Sequence, residues 1–406
     1  MKLIRRDFYL DQLKDVMGTP DIKVITGLRR SGKSKLLESF MDYVKAADGN
    51  ANIIHINFNL AEYENLLEYH ALHNYVEDRY LPGRSNYVLI DEIQMCQGFE
   101  KAINSLHALE KYDIYITGSN AFLLSSDLAT LFTGRTFEIE VYPFSFREFM
   151  QYFELTDRYA ALNRYIQEGG MSGSYLYKSP KAKYDYISDV FDTLIVRDIQ
   201  RKYNVRNISL MEQLCDFLID NISNLTSARS VAKALAAQQM KTNDRTIGTY
   251  LKYLCNAFAF YRVRRYDIQG KRYLSSNDKY YLCDHSFKYA KLGTKSADYG
   301  RSIENIVAIE LLRRGYELYA GVLYKKEVDF VAIKRSEKLY IQVAGSIDDP
   351  DTFRREVGPL LKIQDAYPKM ILTRTRQEPY QYEGVKIVDV ADWLVEVEST
   401  WWNHEK

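Results

Sequence analysis

Gly27-Leu28-Arg29-Arg30-Ser31-Gly32-Lys33-Ser34 is the stretch on which the fold turns. It fits G-x-x-x-x-G-K-[ST] at every fixed position. A strand pattern, Ile22–Thr26, precedes it, and a helix pattern opens at Lys35-Leu36-Leu37-Glu38. That strand–loop–helix context gives the motif its meaning. The glycines let backbone N–H groups converge on phosphate oxygens, and the N-terminus of a helix favours the negative charge. Lys33 then reaches the terminal phosphates and Ser34 ligates Mg2+. The expected cradle is Gly27, Leu28, Arg29, Arg30, Ser31, Gly32, Lys33, Ser34 and Lys35. Arg29 and Arg30 either raise the positive potential around the phosphates or are solvated surface arginines.

Outward from the loop, apolar runs recur at Ile22–Ile25, Ile53–Phe58, Tyr87–Ile90 and Ile114–Ile116, with helical patterns near 34–47, 62–80 and 99–111. This alternation predicts a parallel sheet covered by helices over residues 1–155. Residues 156–220 read as helices, 221–295 as a small helical unit followed by a hairpin, and 296–406 as a second α/β segment.

Tyr87-Val88-Leu89-Ile90-Asp91-Glu92 is a buried strand pattern that delivers two carboxylates to its C-terminal end, where ligands bind in such sheets. Asp91 is expected to hold Mg2+, and Glu92 to orient and polarise an attacking water. A further strand, Asp113–Thr117, ends at Gly118-Ser119-Asn120. A polar residue at its tip, Ser119 or Asn120, is placed to position the terminal phosphate or the water; the plainer alternative is a turn with Asn120 as a helix cap. Downstream, Arg135 in Thr133-Gly134-Arg135-Thr136 can supply transition-state charge as an arginine finger, in cis or from a neighbouring copy. Otherwise it is pinned in a structural salt bridge.

Together, G-x-R-R-x-G-K-S, L-I-D-E-I-Q, T-G-S-N and G-R-T followed by P-F-S-F-R-E-F resemble the bacterial and archaeal AAA+-like ATPases that carry a C-terminal domain of unknown function. The resemblance covers essentially the whole chain and is most specific over its first 150 residues. It implies ATP as the nucleotide, hydrolysis as the reaction, and a P-loop core with an additional strand between those bearing the two carboxylate and phosphate motifs. Asn52–Phe58 is the segment expected to be that strand.

Composition bounds the rest. The 406 residues are 46% hydrophobic and 27% charged with a net charge of +1, which excludes a mainly disordered chain. The four cysteines, Cys96, Cys215, Cys255 and Cys283, form no C-x-x-C pair and suit a reducing compartment. The first residues run into charge before any apolar stretch, so no signal peptide is read, and no run of about 18 apolar residues predicts a membrane span. A soluble cytoplasmic protein is the expectation.

Charge is segregated. Residues 221–295 carry 14 Lys and Arg against 4 Asp and Glu, leaving 41 against 50 elsewhere. The pattern there resembles a winged helix-turn-helix: Thr226 or Ser227 caps a helix at Ala228–Leu235, a second helix presents Arg245 and Lys252, and a hairpin through Ile268–Lys271 carries Arg262, Arg264, Arg265, Lys271 and Arg272. Such a unit can place a helix in a major groove and a wing on phosphates. Alternatively it packs its basic face on the acidic remainder, or contacts a protein.

Beyond residue 296, Glu304 on a helix pattern, Asp329 on a strand and Leu339–Ala344 on the next resemble a PD-(D/E)-x-K endonuclease fold. In that pattern the second acid falls on Gln342 and the lysine on Ala344. Neither suits metal-assisted hydrolysis, so a degenerate domain kept for binding is expected. Three functions follow in order of preference: an ATPase coupling nucleotide state to duplex DNA, a nucleotide-dependent switch on a protein partner, and an ATP-coupled nuclease. A homo-oligomer is implied only if Arg135 serves a neighbour.

Overall fold

The computed structural model describes residues 3–118, 131–132, 134–293, 299–324 and 326–396. The chain forms two compact units, Met1–Pro143 with Asn256–Phe258, and Phe144–Cys255 with Ala259–Lys406.

The first unit is built on a five-stranded sheet. Its strands are β1 (Ile22–Thr26), β2 (Asn52–Asn57), β3 (Asn86–Asp91), β4 (Asp113–Thr117) and β5 (Thr136–Glu140), in the order β2-β3-β4-β1-β5. Every neighbouring pair is parallel. Helices α1 (Asp7–Asp15), α2 (Lys33–Ala47), α3 (Tyr69–Glu77) and α4 (Phe99–Ala108) accompany it. Successive side chains of a strand point to opposite faces. Ile22, Val24, Val88, Ile90, Ile114 and Ile116 therefore join one core with Leu72, Ile103 and Leu106. Ile25, Leu89, Tyr115 and Ile139 join a second core with Leu13, Leu37 and Phe40. An α/β fold around a parallel sheet is thus borne out.

One strand assignment is corrected. The strand inserted between β1 and β3 is β4, whereas Asn52–Asn57 lies at the sheet edge. A strand covered on both faces and paired on both sides reads as a continuous buried run. Ile114–Thr117 is buried throughout, while in β2 only Ile54 and Ile56 are.

A buried ion pair ties β4 to β1. The Lys23 ammonium is fully buried and donates to Asp113 Oδ1 at 2.6 Å and to the Thr19 carbonyl at 2.5 Å. Asp113 Oδ2 accepts from the Gly18 N–H and the Tyr115 hydroxyl.

The second unit opens with helices at Phe146–Phe153, Arg158–Glu168, Pro180–Asp192, Ile208–Asp220, Ala228–Ala237 and Asp244–Asn256. Ser227, not Thr226, caps the helix Ala228–Ala237, in a reciprocal pair with Ser230. Thr226 instead forms an antiparallel bridge with Asp278. An eight-stranded sheet follows, formed by β6 (Phe260–Asp267), β7 (Arg272–Leu282), β8 (Glu317–Leu323), β9 (Lys326–Lys334), β10 (Glu337–Ala344), β11 (Lys369–Thr373), β12 (Tyr380–Tyr382) and β13 (Val385–Asp389). Its order is β12-β13-β11-β10-β9-β8-β6-β7.

The expected hairpin exists, since β6 and β7 pair antiparallel through Asp267↔Arg272. It is not a free wing: β6 also pairs parallel with β8, so the hairpin and the C-terminal strands share one sheet across residue 295. The cause is apolar, because Tyr266 and Ile268 belong to the same buried cluster as Tyr319, Val331 and Tyr340. Arg265, expected on the wing surface, is half-buried.

Removing one partner of a buried pair leaves the other charge uncompensated. Asp113→Ala should therefore lower stability by about 3 kcal/mol in urea unfolding of the full chain, whereas Lys23→Met, which removes the charge and keeps the apolar stem, should cost distinctly less.

Candidate active site

The loop after β1 is shaped by backbone geometry that few residues tolerate. Gly27 has φ +130°, and a Cβ there would lie 2.2 Å from the Val141 carbonyl oxygen, far inside contact distance. Gly32, at φ +100°, ends the loop as the residue before α2, whose first turn has no side-chain cap. The N–H groups of a helix start that no side chain caps suit an anion. Lys33 is buried, and its ammonium donates to the carbonyls of Gly27 at 2.9 Å and Leu28 at 3.0 Å. Leu28 and Ser31 are buried, Arg29, Gly32 and Ser34 half-buried, and Arg30 and Lys35 exposed. Lys35 pairs with Glu38 at 2.5 Å, which turns its charge along the helix surface.

The carboxylates lie on the same edge of the sheet as this loop. Strand register aligns Ile25 with Thr117 and Ile90 with Ile116, so Asp91, Thr117 and Ile25 form one row. With strands spaced at about 4.8 Å, Asp91 is about 10 Å from the end of β1 across β4. Asp91 is 1% exposed. Its Oδ1 accepts from the Thr117 hydroxyl, while its Oδ2 is buried with no hydrogen-bond partner. Such an orphaned oxygen suits a hard cation with oxygen ligands. Asp91 with the Ser34 hydroxyl therefore fits Mg2+.

Glu92 follows in the left-handed region, φ +57°, a backbone state that non-glycine residues adopt at a cost and that concentrates at functional sites. Its N–H donates to Thr117 Oγ1 at 3.1 Å, and its Oε2 accepts from Gln94 Nε2 at 2.5 Å. One hydroxyl thus fixes both consecutive carboxylate residues. Thr117 carries no motif of its own; only its position at the tip of an apolar strand marks it.

Arg6 is a second residue the sequence does not single out. Its guanidinium is buried, donates to the carbonyls of Ser31 at 2.8 Å and Tyr142 at 2.9 Å, and lies 4.5 Å from the Tyr9 ring centroid. It clamps the phosphate loop to the chain leaving β5.

Two expected residues are not assembled here. Asn120, with Ser119, lies outside the described residues, as does Thr133. Arg135 is a correction in its cis form. It precedes β5, and its carbonyl accepts from the N–H of Ile22 at the start of β1. The strands are parallel, so Arg135 stands at the edge opposite the phosphate loop. It is exposed, and among the described residues its side chain makes no ion pair.

In the tail, Glu304 and Asp329 do converge, around Lys279 at 2.9 and 3.5 Å. Gln342 accepts from the Asp329 N–H and donates to Glu356 at 2.8 Å. Ala344 is buried in the apolar cluster.

Comparison with known proteins bears on the family and the fold. Residues 19–150 match the model of an AAA domain, and residues 159–298 that of a domain of unknown function (DUF8612). An uncharacterized protein of Haemophilus influenzae is 37% identical over 400 residues, spanning 97% of this chain and 99% of that one. The chain belongs to the same family as that protein. An uncharacterized protein of Methanocaldococcus jannaschii is 27% identical, over 98% of this chain and 90% of that one. Among solved structures, the Walker-type ATPase of Pyrococcus abyssi matches with a TM-score of 0.48 at 15% identity, covering 71% of this chain and 95% of that chain. The first unit of this family member has an AAA-type P-loop ATPase fold. No helix among the described residues is long and apolar enough to cross a membrane.

Two substitutions separate holding from chemistry. Thr117→Val keeps the shape but releases Asp91 Oδ1 and the Glu92 N–H; nucleotide affinity should stay within about threefold while turnover falls roughly tenfold or more, since a hydrogen bond to a charged group is worth about 1.5–3 kcal/mol. Arg6→Ala should weaken nucleotide binding itself by about tenfold on the same scale, read by titration with a fluorescent ATP analogue.

Proposed function

We propose that this chain is a Mg2+-dependent ATPase whose nucleotide state governs contacts to duplex DNA. The observation that carries the catalytic half is the buried, unpartnered Asp91 Oδ2 on the sheet edge that bears the Lys33 loop. Lys33 and the N–H groups of the loop bind the phosphates and neutralise charge as it develops on the terminal phosphoryl group. Glu92 orients the attacking water and accepts its proton, held in place through Thr117. Ser34 and Asp91 would hold Mg2+, which would supply charge stabilisation to the phosphates. ATP rather than another nucleotide is inferred from the family resemblance, and the cytoplasm from four scattered cysteines with no C-x-x-C pair. Arg135 is proposed as a residue offered to a neighbouring copy.

The DNA half rests on the segment 221–295, which follows a helical segment, 156–220, and which we treat as a winged-helix-like unit whose hairpin is built into the sheet of a degenerate endonuclease-like tail, 296–406. Two helices, Ala228–Ala237 and Asp244–Asn256, precede the hairpin, and Thr226 ahead of them bridges to Asp278 in its second strand, an order that suits such a unit. Arg245, Thr249 and Lys252 are exposed along one side of Asp244–Asn256, and Lys271 at the hairpin turn. Arg262 and Arg272 are exposed but paired with Asp278 and Asp267. Among the described residues, Arg245, Lys252, Arg264 and Lys271 pair with no carboxylate, so they are the charges offered to phosphates.

ATP hydrolysis by the full chain, with and without duplex DNA at low salt, tests both halves. Lys33→Ala should abolish nucleotide binding or turnover, and Glu92→Gln should retain binding while hydrolysis falls roughly a hundredfold or more. DNA should stimulate turnover, and its affinity should fall steeply with salt because phosphate contacts release counterions. Wild-type turnover by Glu92→Gln would overturn the catalytic assignment. Hydrolysis indifferent to DNA would move the regulated partner to a protein.

A further inference from the structure

The tail contains a carboxylate cluster whose cation is part of the chain. Lys279, on β7, is only 3% exposed, and its ammonium meets Glu327 Oε1 at 2.5 Å, Glu304 Oε1 at 2.9 Å and Asp329 Oδ1 at 3.5 Å. The three acids come from two other elements: the helix Tyr299–Arg313 supplies Glu304, and β9 supplies Glu327 and Asp329. The Tyr281 hydroxyl donates to Glu304 at 2.7 Å, and the Val343 N–H donates to Asp329 Oδ2 at 2.9 Å. Gln342, at the position of the second metal-binding acid in the endonuclease pattern, spends both ends of its amide on the Asp329 N–H and Glu356.

Taking an ammonium out of water is costly unless oxygens replace its hydration. Here carboxylates do so on three sides, the ligand type that a divalent cation takes. We infer that Lys279 is the resident cation of this site, standing where a carboxylate-rich fold would otherwise hold a divalent ion, so that the tail coordinates no metal and performs no metal-assisted hydrolysis while the lysine is present. This deepens the proposal of a degenerate tail and does not depend on the ATPase or DNA assignments. Three acids still outnumber one ammonium. Burial, with Glu304 adding to it and Lys279 opposing it, pushes the Asp329 carboxyl up to about 7. The cluster is short of positive charge even in its native form, and a variant without the ammonium has carboxylates and no cation.

The test is Tb3+ luminescence and thermal unfolding in Mn2+ on the full chain, in wild type, Lys279→Ala, Lys279→Met and Lys279→Arg, each with and without Asp329→Asn. In wild type and Lys279→Arg, Asp329→Asn should leave the Tb3+ signal unchanged. Lys279→Ala and Lys279→Met should gain one site, at least tenfold tighter than any background binding and lost with Asp329→Asn, and Mn2+ should raise their unfolding temperature. A wild-type site that Asp329→Asn removes would overturn the inference, because metal and lysine would then coexist. So would Lys279→Ala and Lys279→Met proteins that fold without gaining a site. So would failure of both to fold even in Mn2+ while Lys279→Arg folds, because the ammonium would then do something a divalent ion cannot. Loss of ATP hydrolysis in the Lys33→Ala control separates failure of the nucleotide assignment from failure of this one.

Discussion

A lysine ammonium removed from water must be given oxygens, and among the described residues Lys23, Lys33 and Lys279 show three ways in which that is done. Lys23 finds Asp113 and the Thr19 carbonyl at the base of the first sheet. Lys33 finds two loop carbonyls at the opposite edge. Lys279 finds three carboxylates in the second unit. The partners differ in kind, and that difference sorts the sites. A full carboxylate partner makes Lys23 a fixed brace. Neutral carbonyls hold the Lys33 ammonium at the phosphate loop, where it suits polyanionic phosphate. Several carboxylates make Lys279 a cation that its own ligands hold in place.

The brace matters to the chemistry because it joins β1 to β4. With β4 held between β1 and β3, its last residue, Thr117, stands beside Asp91 and Glu92, and its hydroxyl serves both. The same sheet order sends Arg135 to the other edge. Parallel strands put the start of β5 far from the end of β1, whatever their closeness in sequence to functional motifs. Arg6 completes the loop from outside the motif, holding the Ser31 carbonyl by a residue 25 positions away.

What was legible in the sequence is what local spacing carries. The phosphate loop, the strand ending in Asp91-Glu92 and the strand–helix alternation each depend on neighbours within one turn or one strand, and each stands where the pattern put it. Strand order depends on pairings dozens of residues apart, so Asn52–Asn57 looked as good an inserted strand as Asp113–Thr117. The difference was present only in composition: His55 and the flanking asparagines mark a half-covered strand. Thr117, Arg6 and Lys279 act through partners 25 to 136 residues away, and no spacing rule reaches that far. Lys279 is further hidden because the endonuclease pattern puts its lysine at Ala344, on the strand that carries Gln342, while the chain delivers one from β7.

The shared sheet of the second unit has a mechanical consequence. A free two-stranded hairpin bends and twists with little resistance; β6 and β7 are instead the last two planks of an eight-plank deck, nailed to β8 along Arg264–Asp267. Whatever touches the turn at Ile268–Lys271 presses on the whole deck, and the displacement is spread over β8, β9 and the helix Pro350–Leu361 beneath them rather than absorbed at the tip. The hairpin therefore presents a stiff edge, which meets only surfaces already shaped to fit it.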